Sequence, residues 1–129
     1  MNNELPLVAI VDDDESFRTA IRRLIKSYGL KNIETFDSGK MFLDSLPARR
    51  PDCVLLDLNM PGLSGLDVLK SLRIAGWELP VIILTGNDQP MLRAQCMAAG
   101  ARAYLLKPIN QAELLQMIGE AVGGAQAEP

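Results

Sequence analysis

The stretch from Cys53 to Gly62 constrains the fold more than any other part of the chain. It reads CVLLDLNMPG, so an apolar run leads into Asp57 and the chain then turns at Pro61-Gly62. A short apolar run bounded by turn residues is typical of a strand buried on both faces of a parallel sheet. Asp57 is therefore predicted at the carboxyl end of a central strand, where open α/β sheets place their chemistry. Burying an unpaired carboxylate costs free energy, so other groups must compensate the charge of Asp57.

Four further short strands are predicted, and helical patterns alternate with all five. The predicted strands are 7–11, 33–36, 53–57, 81–85 and 103–106, with 33–36 near an edge because it alternates in polarity. The first helix carries apolar residues at helical spacing: Phe17, Ile21, Leu24, Ile25 and Tyr28. The other helices are predicted over 41–46, 66–72, 91–99 and from Asn110 onward. Strands that alternate with helices predict one α/β domain with a parallel sheet wound by right-handed crossovers.

The domain is predicted to end at Val122, the last apolar residue on one face of the final helix. That face carries Leu114, Leu115, Ile118 and Val122. Residues 123–129 show no apolar periodicity and are predicted to be a flexible tail or the start of a linker. The candidate helix caps are Asp14 or Ser16, Ser38 and Asn110.

Composition excludes several classes of function. The formal net charge of −3 argues against direct nucleic-acid binding or membrane-surface binding as the main role. No apolar run is long enough to span a bilayer, and no secretory signal is visible, so a cytoplasmic protein is expected. Cys53 and Cys96 both lie in apolar contexts and are predicted to be buried, reduced thiols. The chain contains no histidine, which excludes histidine-dependent nucleophiles and metal sites.

Polar side chains follow four of the predicted strands at their carboxyl ends. They are Asp12 and Asp13, Asp57, Thr85, and Lys107. Because these ends share one edge of a parallel sheet, the side chains are expected to converge. Clustered carboxylates repel each other and recruit a proton or a cation, and oxygen ligands favour Mg²⁺.

This set of residues fits phosphoryl transfer. Asp57 can attack phosphorus as an oxygen nucleophile, while the metal ion, Lys107 and Thr85 each neutralise or bind one phosphoryl oxygen. Pro108 keeps Lys107 extended toward the site. The Lys107-Pro108 bond is a candidate cis peptide, because cis bonds occur mainly before proline.

At these motifs the chain resembles the receiver domain of bacterial two-component response regulators. The resemblance covers residues 7–122, and the matching segments are Val11-Asp12-Asp13, Asp57-Leu58-Asn59-Met60-Pro61 with Gly65, Thr85-Gly86, and Tyr104-Leu105-Leu106-Lys107-Pro108. It implies a flavodoxin-like (βα)5 fold, doubly wound, with strand order 2-1-3-4-5.

The resemblance also implies the site's roles. Asp57 would be the phosphoacceptor. The phosphoryl group would come from the phosphohistidine of a sensor histidine kinase or phosphotransfer protein. Asp13 would bind Mg²⁺ directly, Asp12 partly through water, and Asp57 and the backbone carbonyl of Asn59 would complete the protein ligands. Such a phosphoprotein is a signalling domain, with only autophosphotransfer and autodephosphorylation chemistry of its own.

The resemblance assigns a switch to Thr85 and Tyr104. Phosphorylation would draw Thr85 toward Asp57, and Tyr104 would turn into the space left behind. The surface formed by the fourth helix, fifth strand and fifth helix would shift, and it is also a possible homodimer interface. From the residues alone, Tyr104 can equally be an edge aromatic with its hydroxyl in water.

Three alternatives use parts of the same pattern. An aspartyl-phosphate phosphatase of the haloacid dehalogenase type also combines Asp, Thr, Lys and magnesium, but Asn59 stands where that family needs a second acid. A nucleotide-binding Rossmann domain fits less well, because no glycine-rich loop follows the first strand. A receiver that serves only as a binding module is disfavoured by the intact set of Asp57, Thr85 and Lys107.

Overall fold

A five-stranded parallel sheet forms the centre of the molecule, with helices on both faces. The structure is a computed structural model, which describes residues 6–126. The strands are β1 (Leu7–Val11), β2 (Asn32–Phe36), β3 (Cys53–Asp57), β4 (Val81–Thr85) and β5 (Ala103–Leu106). The helices are α1 (Glu15–Ser27), α2 (Gly39–Ser45), α3 (Gly65–Ile74), α4 (Pro90–Ala98) and α5 (Gln111–Gln126).

The strand order is β2-β1-β3-β4-β5, which confirms the predicted order. The β1 strand pairs with both β2 and β3, so the chain reverses its winding direction beside β1 and β3. Both strands are buried along their full length, as are the residues of β4. The carboxyl ends of β1 and β3 therefore lie side by side at the point where the winding changes direction, which is where open α/β sheets form a crevice.

Two apolar clusters hold the helices against the sheet, one on each face. On one face α1 and α5 pack against the strands through side chains that include Ile21, Ile25, Leu114 and Ile118. On the other face α2, α3 and α4 do the same, through Phe42, Leu66, Leu69 and Cys96 among others. Cys53 and Cys96 are buried free thiols, and burial raises the pKa of Cys53 to about 12, so it stays protonated near neutral pH.

Side-chain caps determine where the helices next to the sheet edge begin. Asp14 caps α1 by accepting from the backbone N–H groups of Ser16 and Phe17, which settles the choice between Asp14 and Ser16. Ser38 caps α2, and Asn110 accepts from the N–H of Glu113 at 2.8 Å. A cap of this kind contributes about 1 kcal/mol and fixes the direction in which the helix leaves the strand.

Two details differ from the sequence-based expectations. Tyr28 lies just beyond the last residue of α1 and is 58% exposed, because the helix ends before that position comes round to the core. Leu115 is only half-buried, whereas Ala121 is buried.

The last helix is longer than its apolar pattern. It continues past Val122 to Gln126, and the rest of the expected tail, 127–129, lies outside the described residues. Within residues 6–126, none of the helices is long and apolar enough to cross a bilayer.

Candidate functional site

The predicted polar residues do converge at the carboxyl edge of the sheet. The Nζ atom of Lys107 lies 2.8 Å from Oδ2 of Asp12 and 3.6 Å from Oδ1 of Asp57. Both carboxylates are almost completely buried, with 1% of Asp12 and 5% of Asp57 exposed. The ammonium is thus the cation that compensates the two buried acids, and it belongs to the residue that follows β5, two strands away from β3 in the sheet.

The charge on Asp57 is only partly compensated. Burial raises the pKa of Asp57 to about 6, and the neighbouring Asp12 carboxylate acts in the same direction. Lys107 and the backbone N–H of Asn59 oppose that rise, but they do not cancel it. A carboxylate with a raised pKa is a site that gains from an additional cation.

Three carboxylates are close enough to share such a cation. Oxygen atoms of Asp12, Asp13 and Asp57 lie within 4.8 Å of one another. Asp13 is exposed while the other two are buried, so the cluster reaches solvent at Asp13. An all-oxygen donor set that leaves room for water suits Mg²⁺. The donor chemistry therefore fits the ion that the sequence predicts.

Thr85 is fully buried at the end of β4 and has three hydrogen bonds. Its Oγ1 accepts from Nδ2 of Asn59 at 3.0 Å and from the backbone N–H of Asn87 at 3.2 Å. It also lies 3.2 Å from the backbone carbonyl of Asn87, to which it donates. Asn59 therefore links the loop after Asp57 to Thr85 through its side chain, a contact that sequence reasoning missed.

Lys107 is fixed by its backbone as well as by its ion pairs. Its N–H donates to the carbonyl of Thr85 at 2.7 Å, and the Lys107-Pro108 bond is cis. Its Nζ atom also lies 4.0 Å from the centroid of the Phe17 ring. Sequence reasoning had placed Phe17 only among the core positions of α1.

Arg18, the next residue of α1, also reaches the site. Its Nη1 donates to the backbone carbonyl of Asp12 at 2.7 Å. This contact ties the first turns of α1 to the end of β1. In the sequence, the only indication of this contact is that Arg18 closely follows the acidic residues. Basic residues in such positions are common on exposed helix faces, so the contact could not be predicted.

Tyr104 is buried, with 7% of its surface exposed. Its hydroxyl is the one buried side-chain polar atom within residues 6–126 that has no hydrogen-bond partner in the protein. The guanidinium of Arg93 lies 4.6 Å from the centroid of the ring and also pairs with Asp88 at 3.9 Å. The hydroxyl is therefore buried away from solvent. The simpler interpretation of Tyr104, an edge aromatic with its hydroxyl in water, is wrong.

The sequence matches a family model over most of its length. Residues 8–119 match the model described as the response regulator receiver domain. The transcriptional regulatory protein FixJ of Bradyrhizobium diazoefficiens is 35% identical over 122 residues, which are 95% of this chain and 58% of that protein. The response regulator MprA of Mycolicibacterium vanbaalenii is 40% identical over 108 residues, or 84% of this chain and 46% of that protein. The chain thus spans about half the length of these curated relatives.

Solved structures share the whole fold. A response regulator receiver protein from Burkholderia phymatum is 45% identical, with a TM-score of 0.79 over 92% of this chain and 95% of that one. The chemotaxis protein CheY4 of Vibrio cholerae is 28% identical, with a TM-score of 0.83 over 92% of this chain and 99% of that one.

Proposed function

The chain belongs to the response regulator receiver domain family, and from this premise we propose that Asp57 is its phosphoacceptor. The observation that carries the proposal is the position of Asp57. It is buried at the end of β3, with its pKa raised, between Lys107 and two further carboxylates. A donor can approach this nucleophile from the side where the cluster reaches solvent at Asp13.

The transfer needs an oxygen nucleophile and a leaving imidazole. A carboxylate oxygen of Asp57 attacks the phosphorus of a phosphohistidine, the new O–P bond forms, and the P–N bond to the donor breaks. The donor is a sensor histidine kinase or a phosphotransfer protein, as membership of the receiver family implies. The phosphohistidine is not in this chain, whose sequence contains no histidine. Hydrolysis of the acyl phosphate by water then returns Asp57 to its carboxylate form.

Each neighbouring residue has a separate part in that step. Lys107, within 3.6 Å of Asp57, is near enough to pair with a phosphoryl oxygen once one is attached. The Thr85 hydroxyl can donate to another oxygen if it leaves the carbonyl of Asn87. These contacts stabilise charge on the transferring group, which is the main task of a protein in phosphoryl transfer.

Asp12, Asp13, Asp57 and the backbone carbonyl of Asn59 would hold Mg²⁺. When bound, the ion supplies positive charge that neutralises the phosphoryl oxygens and reduces repulsion among the three acids. The support for this assignment is the all-oxygen cluster within 4.8 Å.

A labelling experiment tests the phosphoacceptor. Acetyl phosphate with Mg²⁺ should add one phosphoryl group to the wild-type protein, and Asp57→Asn should abolish the addition. Asp44→Asn, an exposed aspartate paired with Lys40, is the matched control and should label normally. Intact-mass labelling of the Asp57→Asn variant at the wild-type level would refute the assignment.

Family membership leaves the haloacid-dehalogenase alternative without support. A phosphatase of that type would also release phosphate repeatedly from many esters. A receiver domain is instead expected to take one phosphoryl group from each donor molecule. Measuring turnover with a general phosphate ester separates the two.

The switch would run from Thr85 to Tyr104 and the α4-β5-α5 surface. Tyr104 lies on β5 beside β4, and its buried hydroxyl has no hydrogen-bond partner in the protein. An unpaired buried hydroxyl costs about 1–3 kcal/mol, which a second rotamer that pairs it would recover. Exposed apolar side chains on this surface, at Met91, Met97 and Leu106, suit contact with a second copy of the chain.

Two measurements test the switch and the dimer. With Mg²⁺ and beryllofluoride as a phosphoryl mimic, NMR should show a changed Tyr104 ring environment, and sedimentation should show a larger species. An unchanged Tyr104 rotamer in both states would exclude this route. A protein that stays monomeric at all concentrations would exclude the homodimer.

A further inference from the structure

Phe17 contacts the site although it carries no reactive group. The Nζ atom of Lys107 lies 4.0 Å from the centre of its ring, well within the distance at which an aromatic face attracts a cation. The ammonium therefore has three neighbours: the carboxylates of Asp12 and Asp57 on one side and the ring of Phe17 on another. Two of these neighbours are acids, and the third is neutral.

The ring itself is held in place. The backbone N–H of Phe17 donates to Oδ1 of the capping Asp14 at 3.3 Å. The side chain is half-buried and packs against the apolar cluster that holds α1 and α5 to the sheet. Packing thus restricts the ring, whereas a lysine ammonium sits on a flexible four-carbon stem.

The Lys107 side chain is still 23% exposed, so water competes for its ammonium. The ring of Phe17, on α1, attracts the ammonium to positions over its face. This attraction reduces the fraction of time that the ammonium spends in water. Those positions are also the ones beside Asp12 and Asp57. An aliphatic residue of similar volume would fill the space without this attraction.

We infer that Phe17 is a positioning residue that keeps the Lys107 ammonium at the strand ends, ready for the phosphoryl group. The ring acts through Lys107 and does not touch the reacting atoms. The consequence for phosphoryl transfer rests on the proposed function of Asp57, but the contact itself does not.

The first test measures the contact directly by NMR. The ε-methylene signal of Lys107, assigned by its loss in Lys107→Met, should be shifted upfield by the ring in the wild-type protein. Phe17→Leu should remove the shift, and Phe17→Tyr should keep it. Leu24→Ala is the control, because it removes packing from the same face of α1 and should leave the shift in place.

The second test measures labelling by acetyl phosphate with Mg²⁺. Phe17→Leu should slow the labelling about 3-fold, the size expected from one cation–π contact, and Phe17→Tyr should restore most of the rate. If Phe17→Leu does not fold, fluorinated phenylalanines inserted at position 17 keep the shape and weaken only the face of the ring. The rate should then fall as fluorines are added.

The outcomes separate the two proposals. A wild-type protein that is not labelled would overturn the function proposed for Asp57, whatever the NMR signal of Lys107 shows. Normal labelling with no ring shift on Lys107, or with no change across the Phe17 variants, would overturn the positioning role alone.

Discussion

At Asp57, burial and the acidic neighbour act against the cation beside it. Burial and Asp12 favour the protonated form, and Lys107 favours the carboxylate. Because the first two effects are the larger, the pKa rises from 3.8 to about 6 in the folded protein. Folding therefore takes up a proton at this residue between these values, and the ionised site is a cost to the fold near neutral pH.

This cost predicts how Asp57→Asn changes stability with pH. As pH rises from 3.8 to about 6, the folded state binds more protons than the unfolded state, so the free energy of unfolding falls and stays lower above that range. Asparagine does not ionise. Without divalent cations, the variant should be more stable than wild type by about 1–3 kcal/mol at pH 7.5, and the difference should shrink toward pH 4.

Urea unfolding at the two pH values measures the effect. Asp44→Asn removes an exposed carboxylate and should show no such pH-dependent gain. A difference between wild type and Asp57→Asn that is the same at pH 4 and pH 7.5 would contradict the raised pKa.

The start of α3 sets the position of the end of β3. The N–H of Gly65 donates to the carbonyl of Leu58 at 2.8 Å, and Ser64 and Asp67 form a capping box at the helix start. A Cβ at Gly65 would lie 2.5 Å from the carbonyl oxygen of Asp57 and 2.8 Å from Cα of Leu58. Both are backbone atoms, so glycine is needed here for close approach.

Gly65→Ala should therefore destabilise the protein by about 1–3 kcal/mol, as overpacking against backbone does. It should also slow the labelling of Asp57, because the strand end must shift to admit the methyl group. Thermal unfolding and the labelling rate measure the two effects.

Gly119→Ala is the matched control for this substitution. A Cβ at Gly119 meets nothing within 4 Å, and alanine favours a helix interior such as that of α5. This variant should be as stable as wild type or slightly more stable. A Gly65→Ala variant that unfolds at the wild-type temperature would show that the close approach is not required.

The charge on Asp57 is only partly compensated by Lys107, so an additional cation at the acidic cluster should stabilise the folded protein. If Mg²⁺ binds the folded cluster as proposed, and not the unfolded chain, it should raise the melting temperature. The increase should be larger at pH 7.5 than at pH 5, because below about 6 protonation of Asp57 removes a ligand.

Thermal unfolding with and without excess MgCl₂ checks this, with NaCl at equal ionic strength as the control. An unchanged melting temperature at pH 7.5 would argue against a metal site in this cluster.

Much of the architecture could be predicted because it depends on patterns of residues that are close in sequence. The five strands, the alternating helices and the polar residues at the strand ends follow from apolar runs, turn residues and caps that are close in sequence. The strand order came from the resemblance carried by the motifs, and the sheet confirms it. Tyr28 was misplaced because helical periodicity alone does not show where α1 stops.

The sequence by itself determined which chemical groups stand at the ends of which strands, because each such group directly follows its own strand. Only the tertiary structure decided which of them touch: Lys107 on Asp12, Asn59 on Thr85, and Phe17 on Lys107. These contacts join residues from different elements, so they depend on how each helix docks and which rotamer each side chain adopts. Helix docking and side-chain rotamers both depend on the packing of the whole chain, so neither can be predicted from a short stretch of sequence.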